Sequence, residues 1–168
     1  DNVNPHYCML PWPSSRYQVA DASTTTGVRL DYVAEAFPEN ERGDVFDVAP
    51  YNRLDGFPPS AQILTLFEEQ IDTTNLPPWW DIDLSLAADS PTVVLNMDTG
   101  ERVAHFTETD VRFDSPEEIL VYIRPAARLD EDTRYAVAIR DLTYEDGGAV
   151  PASPVFAALR DDVVTDSE

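Results

Sequence analysis

Apolar and polar residues alternate along several short stretches of this chain, and few stretches carry a helical period. From Gly27 to Phe37, Val28, Leu30, Tyr32, Ala34 and Ala36 fall on one side, with Arg29, Asp31 and Glu35 on the other. A period of two predicts a half-buried strand. The run TVVLNM from Thr92 to Met97 and the run RVAHFT from Arg102 to Thr107 flank Thr99-Gly100, which reads as a hairpin with glycine at positive φ. Glu118 to Arg124 is the most apolar run, closed off by Pro116 and Pro125, and Arg134 to Leu142 alternates again. The expected core is Val28, Leu30, Tyr32, Val93, Leu95 and Phe106 from the first strands, and Ile119, Val121, Ile123, Tyr135, Val137 and Ile139 from the later ones.

Helical signals are sparse. Ser60 stands before Ile63, Leu64 and Phe67, which share a helical face, so a short helix is expected there. Glu68 and Glu69 would occupy its last turn, against the macrodipole. Ser153-Pro154 reads as an N-cap followed by proline at N1, leading into a helix over 155–160. Turns are expected over 38–43, at Asp55-Gly56 and at Asp146-Gly147-Gly148, and Val150 starts one more extended piece. Pro5, Pro11 and Pro13 prevent regular structure in an N-terminal arm (1–26), whose Met9, Leu10 and Trp12 dock it on the body. Strand signals at short intervals between proline and glycine turns predict a mainly β fold. The expected fold is an Ig-like β-sandwich over 1–160, with long Pro-rich loops, one or two short helices and an acidic tail over 161–168.

At 168 residues the chain is the size of one domain and long enough to bury a core. Thirty-two acidic residues against 11 basic ones give a formal charge of −21. That excludes nucleic-acid binding, which needs cations to displace phosphate counterions, and disfavours a polybasic membrane anchor. No run approaches 18 apolar residues, so no membrane span is expected. All 11 basic residues are arginine. A GC-rich coding bias and adaptation to salt, which screens carboxylate repulsion, both account for this. Stability measured from low to molar NaCl separates the two.

Candidate chemistry is thin. The histidines are His6, in the arm, and His105, in a strand with Val103 and Thr107 on its face, where a partly exposed ring is expected. No G-x-S-x-G elbow is present. Cys8 lies two residues from His6 but among apolar neighbours and in an acidic field that raises a thiol pKa, so no catalytic residue is expected. Zinc would need clustered Cys and His, which are missing. The best acidic group for calcium is Asp81, Asp83 and Asp89, because Asp-x-Asp puts two carboxylates on one side of an extended chain. A solvated acidic surface is the leading expectation for this group, with calcium the alternative, and no other cofactor is expected. Trp79-Trp80 could offer a sugar-stacking platform, but adjacent loop tryptophans more often divide roles, one packing inward and one covering a seam. Trp12, Phe57, Trp79 and Trp80, all in proline-stiffened loops, are candidate partner-docking residues. The alternative is that these rings cap the ends of the sandwich.

Several segments together carry a resemblance: CMLPWPSSRY from Cys8, YNRLDGF from Tyr51, ADSPTVVL from Ala88, TGERVAHF from Thr99, Ile123-Arg124-Pro125, and Leu129 through Tyr135 to Ala138. They resemble the N-terminal region that precedes an α/β-hydrolase domain in secreted bacterial lipase-like proteins. The stretch from Leu129 to Gly147 is also similar to the end of bacterial surface Ig-like domains. The resemblance implies a secreted or cell-surface setting, a non-catalytic accessory domain, and a downstream hydrolase domain as partner. The catalytic residues of that family have no matching positions here. The alternative function is an extracellular binding or adhesion module for sugar, matrix or calcium. A third, a self-sufficient hydrolase, would have to use His105.

Overall fold

In the computed structural model, which describes residues 9–110 and 119–163 (of Val155, the backbone only), the strands form three small antiparallel sheets. β1 (Gln18–Ala20) pairs with β2 (Val28–Leu30). β3 (Ile63–Phe67), β6 (Ile119–Pro125) and β5 (His105–Thr109) form a sheet with β6 in the middle. β4 (Thr92–Asn96) pairs with β7 (Tyr135–Ile139). One α-helix, α1 (Pro154–Arg160), follows Ser153, whose hydroxyl accepts from the Phe156 amide as the cap signal predicts. The protein is mainly β, as the alternation indicates. No helix among the described residues is long and apolar enough to cross a membrane.

One core cluster is shared by the β3–β6–β5 sheet and the β4–β7 pair, and two others lie beside it. Ile63 and Ile123 pack with Val94. Ile119 and Val121 pack with Ile71, Leu76 and Leu142. A third cluster gathers Tyr17, Leu30 and Tyr32 under the β1–β2 pair. There Arg29 Nε lies 2.5 Å from Asp21, and Ser23 donates to the same carboxylate. These contacts, Ser23 first, hold the Asp21 carboxyl at about 2.

Four sequence expectations need correction. The strand expected over 27–37 stops at Leu30, and residues Ala34–Ala36 form a 3₁₀ turn. At Tyr32 the Asn52 amide takes both backbone groups, accepting from the N–H at 2.8 Å and donating to the C=O at 2.9 Å. A side-chain amide thus replaces the neighbouring strand. The helix expected after Ser60 is strand β3 instead. Glu68 and Glu69 would oppose a helix dipole, while the run ILTLF pairs with β6 over its whole length. The turn at Thr99-Gly100 forms, with Gly100 at φ 73°, but it does not join two paired strands. Only Leu95 and Arg102 bridge, after which the chain crosses to the other sheet as β5.

The fourth correction concerns faces. Thr92, Val94 and Asn96 point inward on β4, and His105 and Thr107 on β5, leaving Val93, Leu95 and Phe106 half-buried. A strand offset by one residue exchanges its faces. Here polar residues take the inner face because they satisfy one another, as described below. Val137, expected in the core, is 42% exposed.

Ile123 is fully buried, so Ile123→Ala is expected to lower stability by about 2–5 kcal/mol. Val137→Ala should cost no more than about 1 kcal/mol. Urea midpoints of the two variants check this, and equal losses would contradict the register of β7.

Candidate binding surface

A strap of chain over residues 77–90 crosses the outer edge of β5. Antiparallel pairing with β6 uses the backbone of alternate β5 residues, so the amides of His105 and Thr107 point away from the sheet. The strap takes both. Pro77 C=O accepts from Thr107 N–H at 2.8 Å, and Ser85 Oγ accepts from His105 N–H at 3.0 Å. Ser85 in turn donates to Ile82 C=O at 2.6 Å.

The middle of the strap is a 3₁₀ helix, Ile82–Leu86. With three residues per turn, Ile82 and Ser85 stack on the inner side, and Leu84 and Leu86 fall on outer rows. Two arginines fasten the far end. Arg102 donates to Ala87 C=O at 2.5 Å, and Arg140 donates to Ser90 C=O at 3.2 Å and to Ala88 C=O. The underside (Leu76, Pro77, Ser85, Ser90) is buried. The top shows Trp79 and Trp80, 68% and 72% exposed, with Leu84 and Leu86 also exposed. The two indoles stand edge to face, centroids 5.5 Å apart at 89°, a geometry worth about 0.5–1.5 kcal/mol.

Beneath the strap lies a closed chain of polar groups. His105 Nδ1 is 2.9 Å from Val103 C=O. A carbonyl only accepts, so the proton sits on Nδ1. Nε2 is then an acceptor for Thr92 Oγ1 at 2.9 Å, and Thr107 Oγ1, 3.3 Å from Thr92 Oγ1, donates to it. No buried side-chain nitrogen or oxygen among the described residues lacks a partner. Burial pushes the imidazole below its usual 6.5, with a smaller push from the Arg102 charge, while the hydrogen bonds of Val103 and Thr92 oppose it. The expected partly exposed strand histidine is therefore wrong. His105 has no exposed surface; its backbone amide holds Ser85 of the strap, and its ring bonds Val103 and Thr92 beneath it. The sequence signal was there in hydroxyls at Ser85, Thr92 and Thr107, but nothing local shows that they converge.

Of the other sequence candidates, Trp12 and Phe57 lie apart from the strap, and Asp81, Asp83 and Asp89 lie on it. Trp12 and Phe57 are half-buried, edge to face at 5.7 Å, and Trp12 Nε1 donates to Tyr32 Oη at 3.1 Å. They border an aromatic series that sequence reasoning missed, running Tyr17, Tyr32, Phe37, Phe46, Tyr51, with Phe37 and Phe46 stacked at 4.4 Å. Its members are scattered from 17 to 51 without a period. Asp81, Asp83 and Asp89 are exposed, but the chain at 82–86 is 3₁₀ rather than extended, so Asp81 and Asp83 do not share a side. No three His, Cys, Asp or Glu side chains among the described residues form a group that could hold a metal ion. His6 and Cys8 lie outside the described residues.

The geometry defines a mainly β module with a strap fastened across a sheet edge, exposing Trp79, Trp80, Leu84 and Leu86 alongside Asp81, Asp83 and Asp89. Comparison of the chain with known protein families, curated proteins and solved structures finds no match in any of the three.

The buried imidazole makes stability pH-dependent. Below pH 6.5 the unfolded chain takes up a proton that the native chain refuses. This contribution is therefore complete above 6.5 and is lost as pH falls, with a slope of at most about 1.4 kcal/mol per pH unit. The stability advantage of the wild type over His105→Gln is expected to narrow between about pH 7 and pH 5. A pH-independent difference in urea midpoints would show that the ring is not held neutral.

Proposed function

We propose that this chain is a non-catalytic accessory domain of an exported bacterial lipase/esterase-like protein, and that a hydrolase domain of the same parent protein docks on the strap. The observation that carries the reading is the exposed Trp79–Trp80 pair on a segment whose other side is fastened at Pro77, Ser85 and residues 87–90. Tryptophan is favoured as an interface anchor. A strap already ordered by prolines and cross-links loses little entropy on docking. Large apolar groups gathered on one face mark an interaction surface. Trp12 and Phe57, engaged with Tyr32 and each other, play no part in this surface.

The sandwich architecture rests on the shared contacts of Ile63, Ile123 and Val94 across the two larger sheets, with the Ig-like character coming from the resemblance in its C-terminal half. The lipase association and the exported setting rest on the short segments quoted above. The surface charge of −21 fits a protein partner rather than nucleic acid.

The full reading frame and a binding assay test this. A hydrolase domain with a G-x-S-x-G elbow should be encoded downstream, and that domain, made separately, should bind this chain. Trp79→Ala with Trp80→Ala should weaken binding at least about tenfold without moving Tm. The chain alone should not turn over esters. Turnover abolished by His105→Ala would overturn the non-catalytic reading. A Tm raised by calcium or oligosaccharides, with no downstream hydrolase, would assign an adhesion module instead.

A further inference from the structure

β7 ends its sheet, and among the described residues no backbone group pairs with its outer edge. Met97 N–H bonds Arg134 C=O at 2.9 Å, and Arg140 N–H bonds Pro91 C=O at 2.9 Å. With the alternation of an antiparallel pair, Ala136 and Ala138 direct their backbone groups at β4. Tyr135, Val137 and Ile139 direct theirs away from it, and no described residue bonds to them. The other edges are covered at least in part. The Val94 C=O and Asn96 N–H of β4 are taken by Val103 and Glu101, the amides of β5 by the strap, and Leu64 of β3 by Trp12.

Side chains repeat the message. Val137 lies opposite Val94, which is fully buried, and on the same face as Tyr135 and Ile139, which pack against the core. It is nevertheless 42% exposed, because no strand lies beyond it. Edge strands usually carry charge, proline or a bulge that blocks pairing. Tyr-Ala-Val-Ala-Ile carries no charge or proline.

We propose that β7 accepts an extended strand from another protein, by β-augmentation. The side chains specify it. Positions opposite Tyr135, Val137 and Ile139 call for aliphatic residues, which would complete the inner face. Arg134 and Arg140 bracket the edge on the other face, beside Ala136 and Ala138. Among the described residues Arg134 makes no ion pair, and Arg140, which clamps the strap at Ala88 and Ser90, meets only neutral carbonyls there, so neither charge is balanced. Residues opposite these two arginines should be acidic. Just beyond them, Asp132 and Asp141 adopt left-handed φ of 50° and 53° and end the strand, so cations suit the partner's flanks. The complementary strand reads base, acid, alternating aliphatic, acid, base. A second copy of this chain is a poor occupant. A two-fold at Val137 sets Arg134 against the partner's Arg140, and like charges directly opposite destabilise a pair. It also joins two bodies of charge −21.

The test uses the full chain and two end-capped peptides of equal composition and zero net charge, KEVTVTVEK and EKVTVTVKE. The first should bind saturably by fluorescence anisotropy and slow hydrogen exchange at the Tyr135, Val137 and Ile139 amides. The second, with lysine opposite arginine, should bind at least about tenfold more weakly. Val137→Pro removes an outward amide without losing a bond to β4 and should abolish binding with Tm little changed. Absence of saturable binding, equal affinity for the two peptides, or unchanged exchange at those three amides would overturn the proposal. So would a dimer in sedimentation that Val137→Pro dissolves. If Val137→Pro does not fold, exchange in the wild type decides.

Discussion

Backbone amides at sheet edges are the constraint on which this fold turns. Three sheets of two, three and two strands have many edges for their size, and a buried edge group without a partner costs about 1–3 kcal/mol. The chain meets the constraint with pieces that are not strands. Pro77 and Ser85 serve β5, the Asn52 amide serves Tyr32, and the return at 101–103 serves β4. Proline suits such a cover. Its carbonyl accepts from the edge, and it brings no amide that would itself need a partner. The abundance of proline, 14 residues in all, is thus compatible with an ordered β protein.

The same constraint explains the polar interior. Ser85 must be buried to reach the His105 amide, and a buried hydroxyl needs partners of its own. Ser85 finds its acceptor in Ile82 C=O, and Thr92, Thr107 and the His105 ring form a second closed set nearby, each donor matched to an acceptor. An aliphatic side chain in place of Ser85 would pack, but the strap would lose one of its two bonds to the β5 edge. The side that carries Trp79 and Trp80 would then be less firmly held.

Features decided within a few residues were legible in the sequence. The Ser153-Pro154 helix start, the turn glycines at 100 and 147 and the inward run Ile119, Val121 and Ile123 all follow from local chemistry. Features decided by a distant partner were not. Residues 63–67 have apolar positions that fit a helix face, and only β6, more than fifty positions away, selects the strand. The faces of β4 and β5 read inverted because hydrophobicity alone ranks Val93 and Phe106 above Thr92 and His105. The Trp79–Trp80 pair stood out in the sequence by composition. That Trp12 and Phe57 belong elsewhere depends on Tyr32, which no spacing rule connects to them.

The arginine fastening of the strap also sets an order of assembly. Residues 87–90 lie at the middle of the chain, and one of their two clamps is Arg140, 50 positions beyond Ser90. Closing so long a loop is entropically costly until the intervening chain is already in place. β4 must therefore have captured β7 before the second clamp can close. Until then, of the two arginine clamps on residues 87–90, only that of Arg102 can close. The segment that looks most like a finished surface in the native protein is among the last to be secured while it forms.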